Sequence, residues 1–81
     1  MNNQAYIIAS LKAEELKAYR QYIFSLIDMI NAQIDVRVKL NQWHIIEYMK
    51  AQRDMLADQE EEIYNELTAL ETQILSYLEE V

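Results

Sequence analysis

From Ile46 to Val81 a spacing of three then four repeats without a break, through Ile46, Met49, Arg53, Leu56, Glu60, Ile63, Leu67, Leu70, Ile74, Tyr77 and Val81. That alternation holds one stripe on a single helical face over five heptads. The chain of 81 residues contains no Gly and no Pro, so no residue breaks a helix through its own backbone chemistry. The segment therefore predicts a helix over about 43–80, roughly 60 Å long at ~1.5 Å per residue. A rod of that length needs a neighbour along its seam.

The N-terminal half supplies a candidate. Leu16, Tyr19, Ile23, Leu26 and Ile30 also recur at threes and fours, with Tyr22, Ile27 and Ile34 beside them. This face is wide, which fits a bundle interior with more than one neighbour. Ser10, with Glu14 and Glu15 behind it, reads as a helix start. Equally, Ser10 lies inside a helix that begins near Asn3 and carries Tyr6, Ile7 and Ile8, so a separate short N-terminal helix is one of two readings. The first long helix is expected over about 4–34.

Between them the period changes. Ile34, Val36, Val38 and Leu40 alternate with Asp35, Arg37, Lys39 and Asn41, a β-branched run of period two. Two readings fit residues 34–40: a frayed helix end leading into a connection over about 35–42, or a short edge strand that pairs with a partner chain. In the first, Asn31 or Asn41 takes the left-handed conformation in place of glycine, and Asn41 caps the second helix. The expected fold is all-α: residues 1–81 form one domain, an antiparallel hairpin of two long helices that completes a bundle or coiled coil by association. At this size a monomer has little core to spare.

Charge divides the chain. Residues 1–41 carry five basic and four acidic groups, residues 42–81 two basic and ten acidic. From Asp54 to Val81 there are nine carboxylates and no Lys or Arg. Phosphates are bound by Lys and Arg, so direct contact with nucleic acid or an anionic membrane is not expected. Asp54, Asp58, Glu61, Glu62 and Glu66 instead form a candidate surface for a basic partner. The longest charge-free stretch, Met1 to Leu11, is too short to span a bilayer, and so is Gln21 to Ile27. No basic-then-apolar start marks a signal peptide, and the cytoplasm is the expected compartment.

Catalytic chemistry finds little footing. There is no cysteine, no glycine-rich phosphate loop and one histidine. His44 and Glu47 share a helical face, yet metal bundles of the di-iron kind use Glu-x-x-His on paired helices. No metal or cofactor is expected, and the chain reads as non-enzymatic.

The expected activity is therefore interaction with another protein, basic or helical, in a homo-oligomer or heteromer. Ile63, Leu67, Leu70, Ile74 and Tyr77 are the expected partner-binding seam. Arg53 and Glu60 are the charged seam positions, expected to pair between antiparallel helices and set register. Trp43, beside the turn, is the expected aromatic anchor. In layout, the Leu40-Asn41-Gln42-Trp43 turn between two amphipathic helices resembles the small hairpin escorts of type III secretion needle subunits, which implies a helical escort role. The second reading is an inhibitor that lays its acidic helix into the basic groove of a nucleic-acid-binding enzyme, in the style of small viral counter-defence proteins.

Overall fold

A computed structural model describes residues 3–79. Two α-helices of 37 residues each, α1 (Asn3–Lys39) and α2 (Trp43–Glu79), pack antiparallel in a hairpin 61 Å long. The architecture is the all-α hairpin that the spacing predicts. α1 runs unbroken from Asn3, so Ser10 lies within it and there is no separate N-terminal helix. The seam position Val81 and the expected helix end near residue 80 lie outside the described residues. Among the described residues no helix is long and apolar enough to cross a membrane.

The connection is shorter than its composition suggests. α1 continues through residues 35–39, and only Leu40, Asn41 and Gln42 join the helices. No strand forms among the described residues, which overturns the edge-strand reading. Ile34 and Arg37 carry the three-and-four spacing onward from Ile23, Ile27 and Ile30, and Ile34 is buried, so helix continues to bury a seam here. A helix also satisfies the backbone groups that a lone strand leaves unpaired.

Asn41 makes the turn. Its φ of 56° is the left-handed conformation, which Asn tolerates better than other side chains because its short amide bonds locally. The Asn41 amide donates to the Val38 carbonyl and the Gln42 amide to the Arg37 carbonyl, both at 3.1 Å. Those two bonds are the Schellman closure, and they occupy carbonyls that a helix end leaves free. The apolar contact that usually accompanies this closure is replaced by a polar one, Arg37 Nη1 donating to Gln42 Oε1 at 2.7 Å. Gln42, not Asn41, is the residue whose carbonyl starts α2, accepting from the Ile46 amide at 3.2 Å. Once Asn41 is committed to left-handed geometry, the capping position falls to its neighbour.

The core is one layer between the helices. Ala9, Ala13, Ile23 and Ile34 of α1 are buried against Ile46, Ile63 and Leu67 of α2, with Ile23 and Ile46 sealed most completely. Each such isoleucine contributes about 1.5–3 kcal/mol through burial. Toward the open end the fully buried side chains of α1 are the small ones of Ala9 and Ala13, flanked by half-buried Tyr6 and Leu16.

The turn generates a stability prediction. Asn41→Val puts a β-branched residue in left-handed geometry and is expected to lower unfolding free energy by about 1–2 kcal/mol, whereas Asn41→Gly leaves it unchanged or slightly raised. Urea denaturation of the two variants beside the parent chain checks the ordering.

Candidate interaction surface

The seam read as partner-binding is already occupied. Ile63 and Leu67 are buried and Leu70, Ile74 and Tyr77 half-buried in the interface with α1. These side chains hold the hairpin together, because α1 is long enough to lie along α2 over its whole length, and Ile74 also lines an open groove. Tyr77 is further fixed by a hydrogen bond between its hydroxyl and the Gln73 amide nitrogen at 2.6 Å.

The charged seam positions find partners, but not each other. Glu60 Oε1 accepts from Arg20 Nε at 2.6 Å, with the two side chains 19% and 30% exposed. Arg53 donates from Nη1 to Asn31 Oδ1 at 3.2 Å and lies 3.5 Å from the Asp54 carboxylate. The expected Arg53 to Glu60 pair is thus replaced by two contacts to α1. The antiparallel register sets Arg20 level with Glu60 and Asn31 level with Arg53, so each need is met within the chain.

Arg20 sits in a built environment. Its guanidinium lies 5.1 Å from the Phe24 ring centre on α1 and 4.8 Å from the Tyr64 ring centre on α2. Two aromatic faces shield the cation from water while Glu60 neutralises it, which strengthens both contributions. The α1 seam accordingly runs Leu16, Arg20, Ile23, Ile27, Ile30, and not through Tyr19, whose side chain is 49% exposed, and Leu26. Arg20 was legible in principle, because it stands seven residues after buried Ala13 and seven before Ile27.

The acidic surface is in the open. Asp54, Asp58, Glu61, Glu62 and Glu66 are all exposed. Glu66 is bridged to Lys12 across the helices at 3.4 Å, and Asp54 leans on Arg53. Among the described residues Asp58, Glu61 and Glu62 form no ion pair. Trp43 opens α2 and is 56% exposed.

A second apolar stripe on α1 was only partly visible in the sequence. Tyr19, Tyr22, Leu26, Met29, Val36 and Leu40 follow their own three-and-four spacing beside the seam, interrupted only by Gln33. Apart from half-buried Leu26, all are exposed, and the Tyr19 and Tyr22 rings stack with centres 6.5 Å apart. Ile45, Tyr48 and Met55 of α2 occupy the matching positions near the turn and are exposed too. The two stripes lie on one flank. Lys12 precedes Tyr19 by seven residues and Glu66 follows Met55 by eleven, so their cross-helix bridge marks where these rows adjoin. The other flank is the one that carries Phe24, Arg20 and Tyr64, and near the open end a shallow groove lined by Ser10, Ala13, Glu14, Lys17, Glu71, Ile74 and Leu75.

The extent of this flank matters. Eight large side chains there are 42–67% exposed, which amounts to roughly 800 Å² if each whole side chain offers about 200 Å². A soluble monomer ordinarily exposes patches of about 300–600 Å², while a stable protein interface covers about 800 Å² per partner. The flank has the dimensions of an interface. Neither a family model, nor a curated protein, nor a solved structure matches the chain.

The Arg20 layer can be tested apart from any partner. Arg20→Met leaves a largely covered Glu60 carboxylate without its cation, and unfolding free energy is expected to fall by about 1–3 kcal/mol. Adding Glu60→Leu should recover most of that loss, because a well-packed apolar pair replaces a charged one at little net cost. Denaturant midpoints for the single and double variants read both effects.

Proposed function

We propose that this chain is a non-enzymatic helical interaction module, an adaptor, accessory subunit or assembly chaperone, that works by packing the helices of another chain against its apolar flank. The observation that carries this reading is the flank itself: two adjoining rows of Tyr, Met, Leu, Ile and Val left uncovered after the hairpin has closed its own core. Such rows match the anchors of a helix laid into a groove between two helices. Tyr22, Met29 and Tyr48, each more than half exposed, are the side chains best placed to carry most of the binding energy. A cytoplasmic location belongs to the same reading.

One observation favours a second reading. Asp58, Glu61 and Glu62 stand exposed and unrelieved by cations, which suits an acidic helix that occupies the basic groove of a nucleic-acid-binding enzyme. Its charge is thin for that task. Nine carboxylates over 28 residues give about one charge per 4.7 Å of axis, against one per roughly 1.7 Å in duplex DNA.

The two readings part in solution. In native extract the chain is expected to run in an assembly heavier than its own 9.7 kDa. Met29→Lys should dissolve that assembly with helicity unchanged, and 0.5 M salt should leave it intact, since exposed charges are screened beyond about 8 Å already at physiological ionic strength. Loss on Glu61→Gln with Glu62→Gln, or in high salt, with Met29→Lys silent, would favour the acidic inhibitor. A free 9.7 kDa chain in extract and in isolation alike would remove the module reading.

A further inference from the structure

We propose that a second copy of this chain covers the apolar flank, two hairpins packing antiparallel about a two-fold axis near Met29 and Gln52 to form a four-helix bundle. The inference rests on the reading of that flank as a protein-binding surface and names its occupant.

Self-complementarity is the first argument. A two-fold interface uses the same patch on both copies, so apolar must meet apolar at every level. The flank is predominantly apolar from Leu40 beside the turn to Tyr19, over roughly 32 Å at ~1.5 Å per residue, with Gln33 on α1 and Gln52 on α2 as its polar members. Its centre lies at Met29 on α1, level with Gln52 on α2. Its roughly 800 Å² per copy is what a dimer of standard size buries.

Charge chooses the orientation. The turn end of the patch is basic, because Arg37 and Lys39 close α1 there. Arg37 is half-buried and bonded to Gln42, and Lys39 is exposed with no ion pair among the described residues. The far end of the patch is acidic at Glu62, which is exposed with no ion pair among the described residues, while Glu66 is bridged to Lys12. An antiparallel overlay brings the basic turn of each copy to the acidic end of the other. A parallel overlay stacks Glu62 on Glu62 and Lys39 on Lys39, which is repulsive at both ends. The favoured dimer is an offset pair of 61 Å rods overlapping along the patch, roughly 90 Å from end to end when the overlap is about 32 Å.

Light scattering coupled to size exclusion, with the full chain at tens of micromolar, reads the mass directly. Twice 9.7 kDa is expected for the parent chain. Met29→Lys combined with Tyr48→Lys should return the mass to that of one chain with the circular dichroism spectrum unchanged, while Ala18→Lys on the outer face stays dimeric. Orientation is read by crosslinking, since the chain has no cysteine of its own. Mixing Lys39→Cys chains with Glu62→Cys chains and adding a short thiol crosslinker should join 39 to 62. A parent chain that stays at 9.7 kDa, a dimer indifferent to the two lysines, or links of 39 to 39 and 62 to 62 would overturn the proposal. If the parent is monomeric alone yet joins a different protein in extract through Met29, the second copy is wrong and the module reading stands.

Discussion

The contact between Arg20 and Glu60 is the constraint on which the rest of the hairpin depends. Two helices with regular three-and-four seams pack almost as well after sliding by one heptad, because apolar positions recur every seven residues. A slide in one direction would set Arg20 against Arg53, and in the other against Leu67. The first opposes two cations and the second strands one, together with an orphaned Glu60. A 2.6 Å bond flanked by the Phe24 and Tyr64 rings is lost in either slip. Near the middle of the seam one polar layer thus selects register, which is the best-attested use of a partly buried charge pair.

The turn and the layer reinforce one another. A connection of Leu40, Asn41 and Gln42 leaves no slack, so the Schellman closure and the Arg37 to Gln42 bond set where α2 begins. From that start the Arg53 to Asn31 contact, the Arg20 layer and the Lys12 to Glu66 bridge follow at increasing distance from the turn. Three of the α1 cations or amides are used to hold acidic or polar α2 in register. Toward the middle of α2, Asp58, Glu61 and Glu62 are left exposed with no ion pair among the described residues.

α1 has two apolar rows, and the hairpin uses one. The row through Ile23, Ile30 and Ile34 closes the core, and the row through Tyr22, Met29 and Val36 is left beside it. A helix with two such rows belongs to a larger bundle than a hairpin. The functional reading follows from this surplus rather than from the α2 seam, which is consumed in folding. Trp43, Asp54, Asp58 and Glu61 lie outside the apolar flank, so they remain exposed on a protein whose flank is covered.

The sequence by itself determined that this chain is helical, that it turns once, and which α2 positions face inward, from Ile46 to Tyr77. A chain without Gly or Pro and with a single uninterrupted three-and-four series has one amphipathic solution, and period alone finds it. Asn31 and Asn41 were both legible as candidates for the left-handed residue, since no glycine competes for the role, and the structure gives it to Asn41. α1 was different. Its wide face holds two overlapping series, one through Tyr19 and Leu26 and one through Arg20 and Ile27, and hydrophobicity favours the first. Tertiary structure chose the second, because Glu60 on α2 needs a cation opposite it and Tyr64 offers that cation a ring face. The same choice decided that the chain's own α1 would cover Ile63 and Leu67 and that Tyr22, Met29 and Tyr48 would be surface. Local pattern fixes which residues share a face, but which of two faces is buried depends on the energy of contacts with a neighbour, and that neighbour enters only when the chain has folded.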